Sequence, residues 1–273
     1  MLSIKEVECK SILTKSKIAS YAINCYTGCL HACVYCYARY MRRFTGHTEP
    51  WGKFVDVKIN AADALKKEVQ RTKPGAVFMS SACDGWQQLE RKYRLSRRCL
   101  SILLENRFHV SFLTKSIIVR DDLDILEGTN AELGFTLTTM DNALCRKIEP
   151  GASLTRDRIE ILKEAGNRGI RTWVFLGPFM PFLSDTDDNV DALFESLAEL
   201  KLERIYADRL NPRSGVWQSI KSFLSENHPQ LIGRYGKIIY NDQEREAYGN
   251  GLKELVILKA KKYGLADKVL VVF

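Results

Sequence analysis

The chain has 273 residues, of which 45% are hydrophobic, 27% charged and 10% aromatic, and it carries a net charge of +8. These figures exclude a disordered polymer, a collagen-like repeat and a small disulfide-stapled scaffold, and they describe an ordinary globular domain with its own core. No run of about 18 apolar residues occurs, so no membrane-spanning helix is expected; the charged start MLSIKEVECK and eight sparse cysteines predict a cytoplasmic, reducing setting.

In chain order, residues 21–24 read as a first strand, and four of the eight cysteines follow within twelve residues: Cys25, Cys29, Cys33 and Cys36. The apolar run Ala76–Met79 follows a Lys-Pro-Gly turn and reads as a buried strand. Residues 95–106 read as a helix, 109–113 as a strand, 121–126 as a helix and 132–138 as a strand. Ser153 is placed to cap a helix over 153–165, with Ile159, Leu162 and Ala165 on one buried face and Gly166 and Gly169 at its stop. A strand over 170–176, a helix over 187–200 and a strand over 204–207 continue the pattern, and the tail from about Arg213 reads as helices with a last apolar strand at 268–273. Alternation of this kind predicts a parallel sheet with helices outside. About six units are too few for a complete (β/α)8 barrel. The expected organisation is an N-terminal segment, 1–19, packed on a core over 20–210, with 211–273 an extension of the same domain.

Cys29, Cys33 and Cys36 have the spacing C-x3-C-x2-C where a strand gives way to a loop. Three thiolates on a tight loop can hold three irons of a [4Fe-4S] cluster and leave the fourth open. An open position separates a reactive metal site from a structural one. The bland alternatives are a zinc site or a closed cluster with Cys25 as fourth ligand; the contiguous spacing favours the open cluster. His31 lies between the ligands and reads as a packing residue.

With the aromatic Tyr35 before the last cysteine, this loop resembles the signature of the radical S-adenosylmethionine (SAM) superfamily. The fuller string INCYTGCLHACVYCYARY is similar to the subgroup that includes spore photoproduct lyase and DNA repair photolyase-type proteins. That subgroup reads N-P-Y-x-G-C-x-H-x-C-x-Y-C-Y-A-R, and here Cys25 stands where proline is usual. Leu113-Thr114-Lys115-Ser116, Glu149-Pro150-Gly151-Ala152 and Pro178-Phe179-Met180-Pro181 resemble later units of the same subgroup, so the likeness covers about residues 20–210.

The resemblance implies an α/β fold, a partial (β/α)6 TIM-like barrel with a C-terminal helical extension. It implies an enzyme in which SAM is reductively cleaved at the open iron and a 5′-deoxyadenosyl radical takes hydrogen from a substrate. On that basis Cys29, Cys33 and Cys36 are the cluster ligands, Tyr35 packs near the adenine, and Ser81 and Asp84 meet the SAM amino group. Lys115 meets its carboxylate, Thr136 or Thr138 reaches the ribose, and Arg158 and Glu149 are further candidates. Cys83 sits in the turn where spore photoproduct lyase has a hydrogen-donating cysteine, although Asp84 follows it directly where that enzyme has Thr-Ser-Asp; a small buried thiol is the competing reading.

Two basic, aromatic-bearing stretches, 39–58 and 90–98, suit either DNA or another nucleic acid, or a reduced ferredoxin or flavodoxin delivering the electron. A solvated helix face plus a loop whose aromatics anchor it to the barrel is the competing reading. A monomer is expected. A peptide or small-metabolite substrate is the alternative, as is a non-catalytic iron–sulfur or zinc module that binds nucleic acid.

Overall fold

The computed structural model describes residues 1–211 and 215–273. The apolar runs form strands β1 (Ser3–Val7), β2 (Thr14–Lys15), β3 (Tyr21–Ile23), β4 (Tyr26–Thr27), β5 (Phe54–Lys58), β6 (Ala76–Met79), β7 (His109–Thr114), β8 (Glu132–Leu137), β9 (Arg171–Phe179), β10 (Leu202–Arg209) and β11 (Val269–Val271). The helices are α1 (Ala61–Val69), α2 (Glu90–Tyr93), α3 (Leu95–Glu105), α4 (Asn142–Ile148), α5 (Thr155–Asn167), α6 (Asp187–Leu197), α7 (Val216–Asn227), α8 (Ile232–Tyr240) and α9 (Asp242–Lys262). The main sheet has the order β11-β10-β9-β8-β7-β6-β3-β2, parallel throughout except where β2 runs against β3. Its core is the six-unit alternating α/β architecture expected from the sequence. No helix among the described residues is long and apolar enough to cross a membrane.

Strand periodicity of two explains how this sheet builds a site. One face carries Val77, Met79, Val110, Phe112, Leu133, Phe135, Leu137, Val174, Leu176, Ile205 and Ala207, all within the main hydrophobic core together with Leu100, Leu103, Leu162 and Phe194 of the covering helices. Each of the Val, Leu, Ile, Phe and Met side chains among them, fully buried, contributes roughly 1.5–3 kcal/mol. The alternate positions Phe78, Ser111, Leu113, Thr136, Trp173, Phe175 and Tyr206 face inward and line a cavity. Gly134 makes this possible, since a Cβ there would come within 2.3 Å of the Trp173 ring, which lies across the inner face.

Several elements differ from expectation. The stretch 39–58 contains a buried strand, β5, which pairs with β1 and β4 in a second, three-stranded sheet. Phe54 is fully buried, and His47 stacks on it while bonding Asp56 at 2.8 Å, so these rings anchor the segment instead of offering themselves to a partner. Helix α4 was missed although Asp141 caps it, accepting from Ala143 and Leu144 N–H groups. Ser153 is not the cap of α5; its hydroxyl accepts from Ile117 N–H at 3.0 Å, and the expected helix at 121–126 is a 3-10 segment over Ile117–Ile125. The expected start of the tail at Arg213 lies outside the described residues; beyond it α7, α8 and α9 lead to β11, which pairs with β10.

The second basic stretch forms α2 and α3 and is largely committed to the fold. Arg97 pairs with Asp124 at 2.6 Å and Asp122 at 3.1 Å, and Glu90 is buried, accepting from the Tyr26 hydroxyl and from Arg97 N–H. Burial pushes the Glu90 carboxyl up to about 7 despite those donors. The folded chain therefore retains a proton that the unfolded chain releases at the ordinary glutamate value. Stability falls as pH rises from about 4.5 to 7, by on the order of 3 kcal/mol. Urea unfolding at pH 5 and pH 8 is expected to show that decline in the native protein and its loss in E90Q; equal slopes in both would contradict it.

Candidate active site

The cysteine loop leaves β3 and β4 at the C-terminal edge of the parallel sheet, where ligands of α/β folds collect. Short-range bonds shape it. Arg39 donates through Nε to Cys36 O at 3.0 Å and through Nη2 to the Cys33 and Val34 carbonyls at 3.1 Å, so one guanidinium closes the turn that carries two thiols. Gln87, fully buried, accepts from Leu30 N–H at 2.9 Å and donates to Gly28 O at 3.3 Å. On the other side the loop docks on the turn after α4, with Val34 N–H to Ile148 O at 2.9 Å and Gly151 N–H to His31 O at 3.0 Å. Only glycine fits at 151, because a Cβ would meet Leu30 O at 2.1 Å.

Cys29, Cys33 and Cys36 line one cavity of about 580 Å³ together with Tyr35, Ser80, Ser81, Cys83, Asp84, Lys115 and Thr136. Most of the residues singled out from the sequence are thus brought together, but with unequal freedom. Asp84 is already saturated: it accepts from Trp86 N–H at 2.9 Å, Thr114 Oγ1 at 2.8 Å and Lys115 N–H at 2.8 Å, with His31 Nδ1 at 3.3 Å. Burial would raise its carboxyl, but His31, Lys115 and that N–H outweigh burial and hold it well below the usual range. Asp84 thus ties the 80–84 turn to β7 and the cysteine loop.

Lys115 is different. Its ammonium makes no hydrogen bond or ion pair among the described residues. Burial works against its charge, yet the facing Cys33, Glu149 and Asp84 outweigh that and hold it protonated, above the ordinary lysine value. The cavity therefore contains a cation with donors to spare.

Of the residues expected at the cofactor, Thr138 and Arg158 do not line the cavity. Arg158, fully buried in α5, donates to Glu149, to Ser153 O and, at 2.8 Å, to Thr136 O. The Thr138 hydroxyl lies 3.0 Å from both Glu149 Oε1 and Gly177 O, either of which can take its one proton, and the Tyr35 hydroxyl donates to the same carboxylate. Burial would raise the Glu149 carboxyl, but Arg158 and Lys115 keep it ionised. This network fixes Tyr35, between two of the thiols, from behind.

Cys25 points away from the loop thiols. Its Sγ lies 3.6 Å from Cys99 Sγ inside the main core, and it does not line the cavity. Among the described residues no three Cys, His, Asp or Glu side chains are gathered tightly enough for a single metal ion. A zinc ion needs thiolates converging at about 2.3 Å, whereas a cubane takes each thiolate at its own iron corner. Three loop thiols around one cavity, with the fourth cysteine elsewhere, fit the cubane and not the zinc site. Buried as they are, the three thiols sit above the ordinary cysteine value, burial being the main cause.

Sequence reasoning missed Asn24. It holds the turn opposite, accepting from Ala82 N–H at 2.8 Å and donating to Ser81 Oγ at 3.2 Å. Its place immediately before the cysteine run was the available signal. Arg39, three residues after Cys36, carried a similar one.

A three-cysteine loop and a cation with donors to spare thus meet at the C-terminal edge of a parallel α/β sheet, the arrangement of a candidate cofactor-dependent enzyme site. The radical SAM superfamily profile matches residues 23–197, and the chain belongs to that superfamily, whose members use a [4Fe-4S] cluster and SAM. An uncharacterized protein of Methanocaldococcus jannaschii is 31% identical over 234 residues, covering 84% of this chain and 85% of the relative. A radical SAM Nα-GlyT isomerase of Pseudomonas phage M6 is 23% identical over 172 residues, 62% of this chain and 35% of that protein. In fold the chain is similar to spore photoproduct lyase complexed with dinucleoside spore photoproduct, with a TM-score of 0.73 and 14% identity over 98% of this chain and 81% of that one.

Proposed function

We propose that Cys29, Cys33 and Cys36 hold the [4Fe-4S] cluster, that Lys115 receives the SAM carboxylate beside it, and that this radical SAM enzyme acts on a base lesion in nucleic acid, with a thymine photoproduct the first candidate. The observation that carries the reading is the convergence of three loop thiols, an unpartnered ammonium and the Cys83 thiol on one cavity. When bound, cluster and SAM supply a 5′-deoxyadenosyl radical that removes a hydrogen atom from a substrate carbon. Everything else is work for the chain. Lys115 offers charge-assisted donors to a carboxylate, and Ser81 and Thr136 add polar contacts on neighbouring walls. Leu113, Trp173, Phe175 and Tyr206 line the cavity with largely apolar surface that keeps stray water from a reactive centre. Burial pushes the Cys83 thiol up, so it stays S–H; that bond can break homolytically to return a hydrogen atom to a carbon radical. The lesion reading draws on the dinucleoside photoproduct bound to the enzyme of similar fold.

The test is anaerobic reconstitution with iron and sulfide, then dithionite, SAM and ultraviolet-irradiated oligothymidylate. The expected result is 5′-deoxyadenosine with loss of the photoproduct, and in C83A 5′-deoxyadenosine with diverted thymine products. Absence of 5′-deoxyadenosine would overturn the cofactor assignment; 5′-deoxyadenosine with every irradiated DNA unchanged would overturn the substrate. K115M is expected to weaken SAM binding about 10–100-fold, the cost of one charge-assisted contact, with cluster absorbance unaltered. Equal SAM affinity in K115M, measured by equilibrium dialysis, would remove Lys115 from the site.

A further inference from the structure

Beside the main cavity lies a second pocket of about 450 Å³, lined by Arg39, Tyr40, Arg42, Arg43, Pro50 and Trp51 and closed by Gly215, Gln218 and Ser219 at the start of α7. Trp51 lines both pockets, so the two adjoin at the cysteine loop. Arg39 is spent on the loop carbonyls, but Arg42 and Arg43 are exposed at the end of the 3-10 segment Tyr37–Phe44 and pair with no carboxylate among the described residues. Arg42 reaches only the Thr48 and Glu49 carbonyls, at 3.5 and 3.4 Å. Phe44, next in sequence, is 76% exposed and packs edge-on against Tyr40.

We infer that this pocket is a docking surface for the nucleic-acid strand flanking the reacting base, with Arg42 and Arg43 on consecutive phosphates and Tyr40 and Phe44 against an exposed base. The inference rests on the nucleic-acid reading above and deepens it. Unpaired guanidinium groups interleaved with rings are what a single strand uses, cations for the backbone and rings for the bases. Because Trp51 lines both pockets, a strand held in this one lies next to the main cavity. A redox protein would present a flatter acidic face to the same charges, and that occupant is an outcome of the test.

The experiment measures binding of a fluorescein-labelled single-stranded oligothymidylate to the reconstituted holoenzyme by anisotropy, over a range of salt. The proteins compared are wild type, R42E/R43E, and K66E/K67E, which changes the charge equally on exposed α1 positions. R42E/R43E is expected to bind 10–100-fold more weakly with a salt slope reduced by about 2, and K66E/K67E within about threefold of wild type. R42A/R43A, which adds no repulsion, is expected to lose at least half of that slope. Tight binding by wild type with the same affinity and slope in R42E/R43E would overturn this surface while leaving the nucleic-acid reading intact. No oligonucleotide binding by wild type would overturn both. Slower SAM cleavage in R42E/R43E with a reduced ferredoxin than with dithionite, at unchanged oligonucleotide affinity, would assign the surface to the electron donor and overturn the inference.

Discussion

Replacing any one of Cys29, Cys33 or Cys36 by alanine is expected to abolish both the iron–sulfur absorbance of the reconstituted protein and the formation of 5′-deoxyadenosine, whereas C25A keeps both. The asymmetry follows from where the sulfurs point. The three loop thiols share the cavity, and with one removed a cubane loses a corner ligand from the loop that holds it. Cys25 lies against Cys99 in the core, so its loss empties a small apolar space and costs stability alone. Iron analysis and anaerobic turnover of the four variants decide the matter; loss of iron in C25A equal to that in C29A would contradict the assignment.

The second large effect concerns a residue that does not line the cavity. R158A removes the ion-pair partner of the buried Glu149 carboxylate beneath Tyr35, and breaking such a pair costs about 3–5 kcal/mol. Thermal unfolding is expected about 5–9 °C lower, given the unfolding entropy of a chain this size. The double change R158L/E149L removes both charges and is expected to recover part of the loss. Additive losses in the double variant would show that the pair is not coupled. R158A is also expected to weaken SAM binding, because the network that fixes Tyr35 also borders Lys115.

The strands and the cysteine loop were legible for a simple reason. Short apolar runs such as Ala76–Met79 and His109–Thr114 sit between turn signals, and the C-x3-C-x2-C spacing ties three thiols together within eight residues. Strand β5 was hidden because its apolar side chains follow Arg42, Arg43 and His47, and charge counted along the chain cannot show that Phe54 is covered by a distant segment. For Thr138 and Arg158, period-two alternation places a threonine on the inner face but does not say how far up the strand the cavity extends. That depends on Glu149, which reaches in from another turn and claims both side chains. Asp84 was legible as a polar group in the right turn, but not as one whose lone pairs are already taken by Trp86, Thr114 and Lys115.

Low-temperature electron paramagnetic resonance of the reduced, reconstituted protein, before and after addition of SAM, addresses the open iron corner most directly. A cluster held by three cysteines gives about four irons per chain and a signal that changes when SAM binds the vacant corner, in C25A as in the native protein. A signal indifferent to SAM, or one zinc per chain in place of iron, would contradict it.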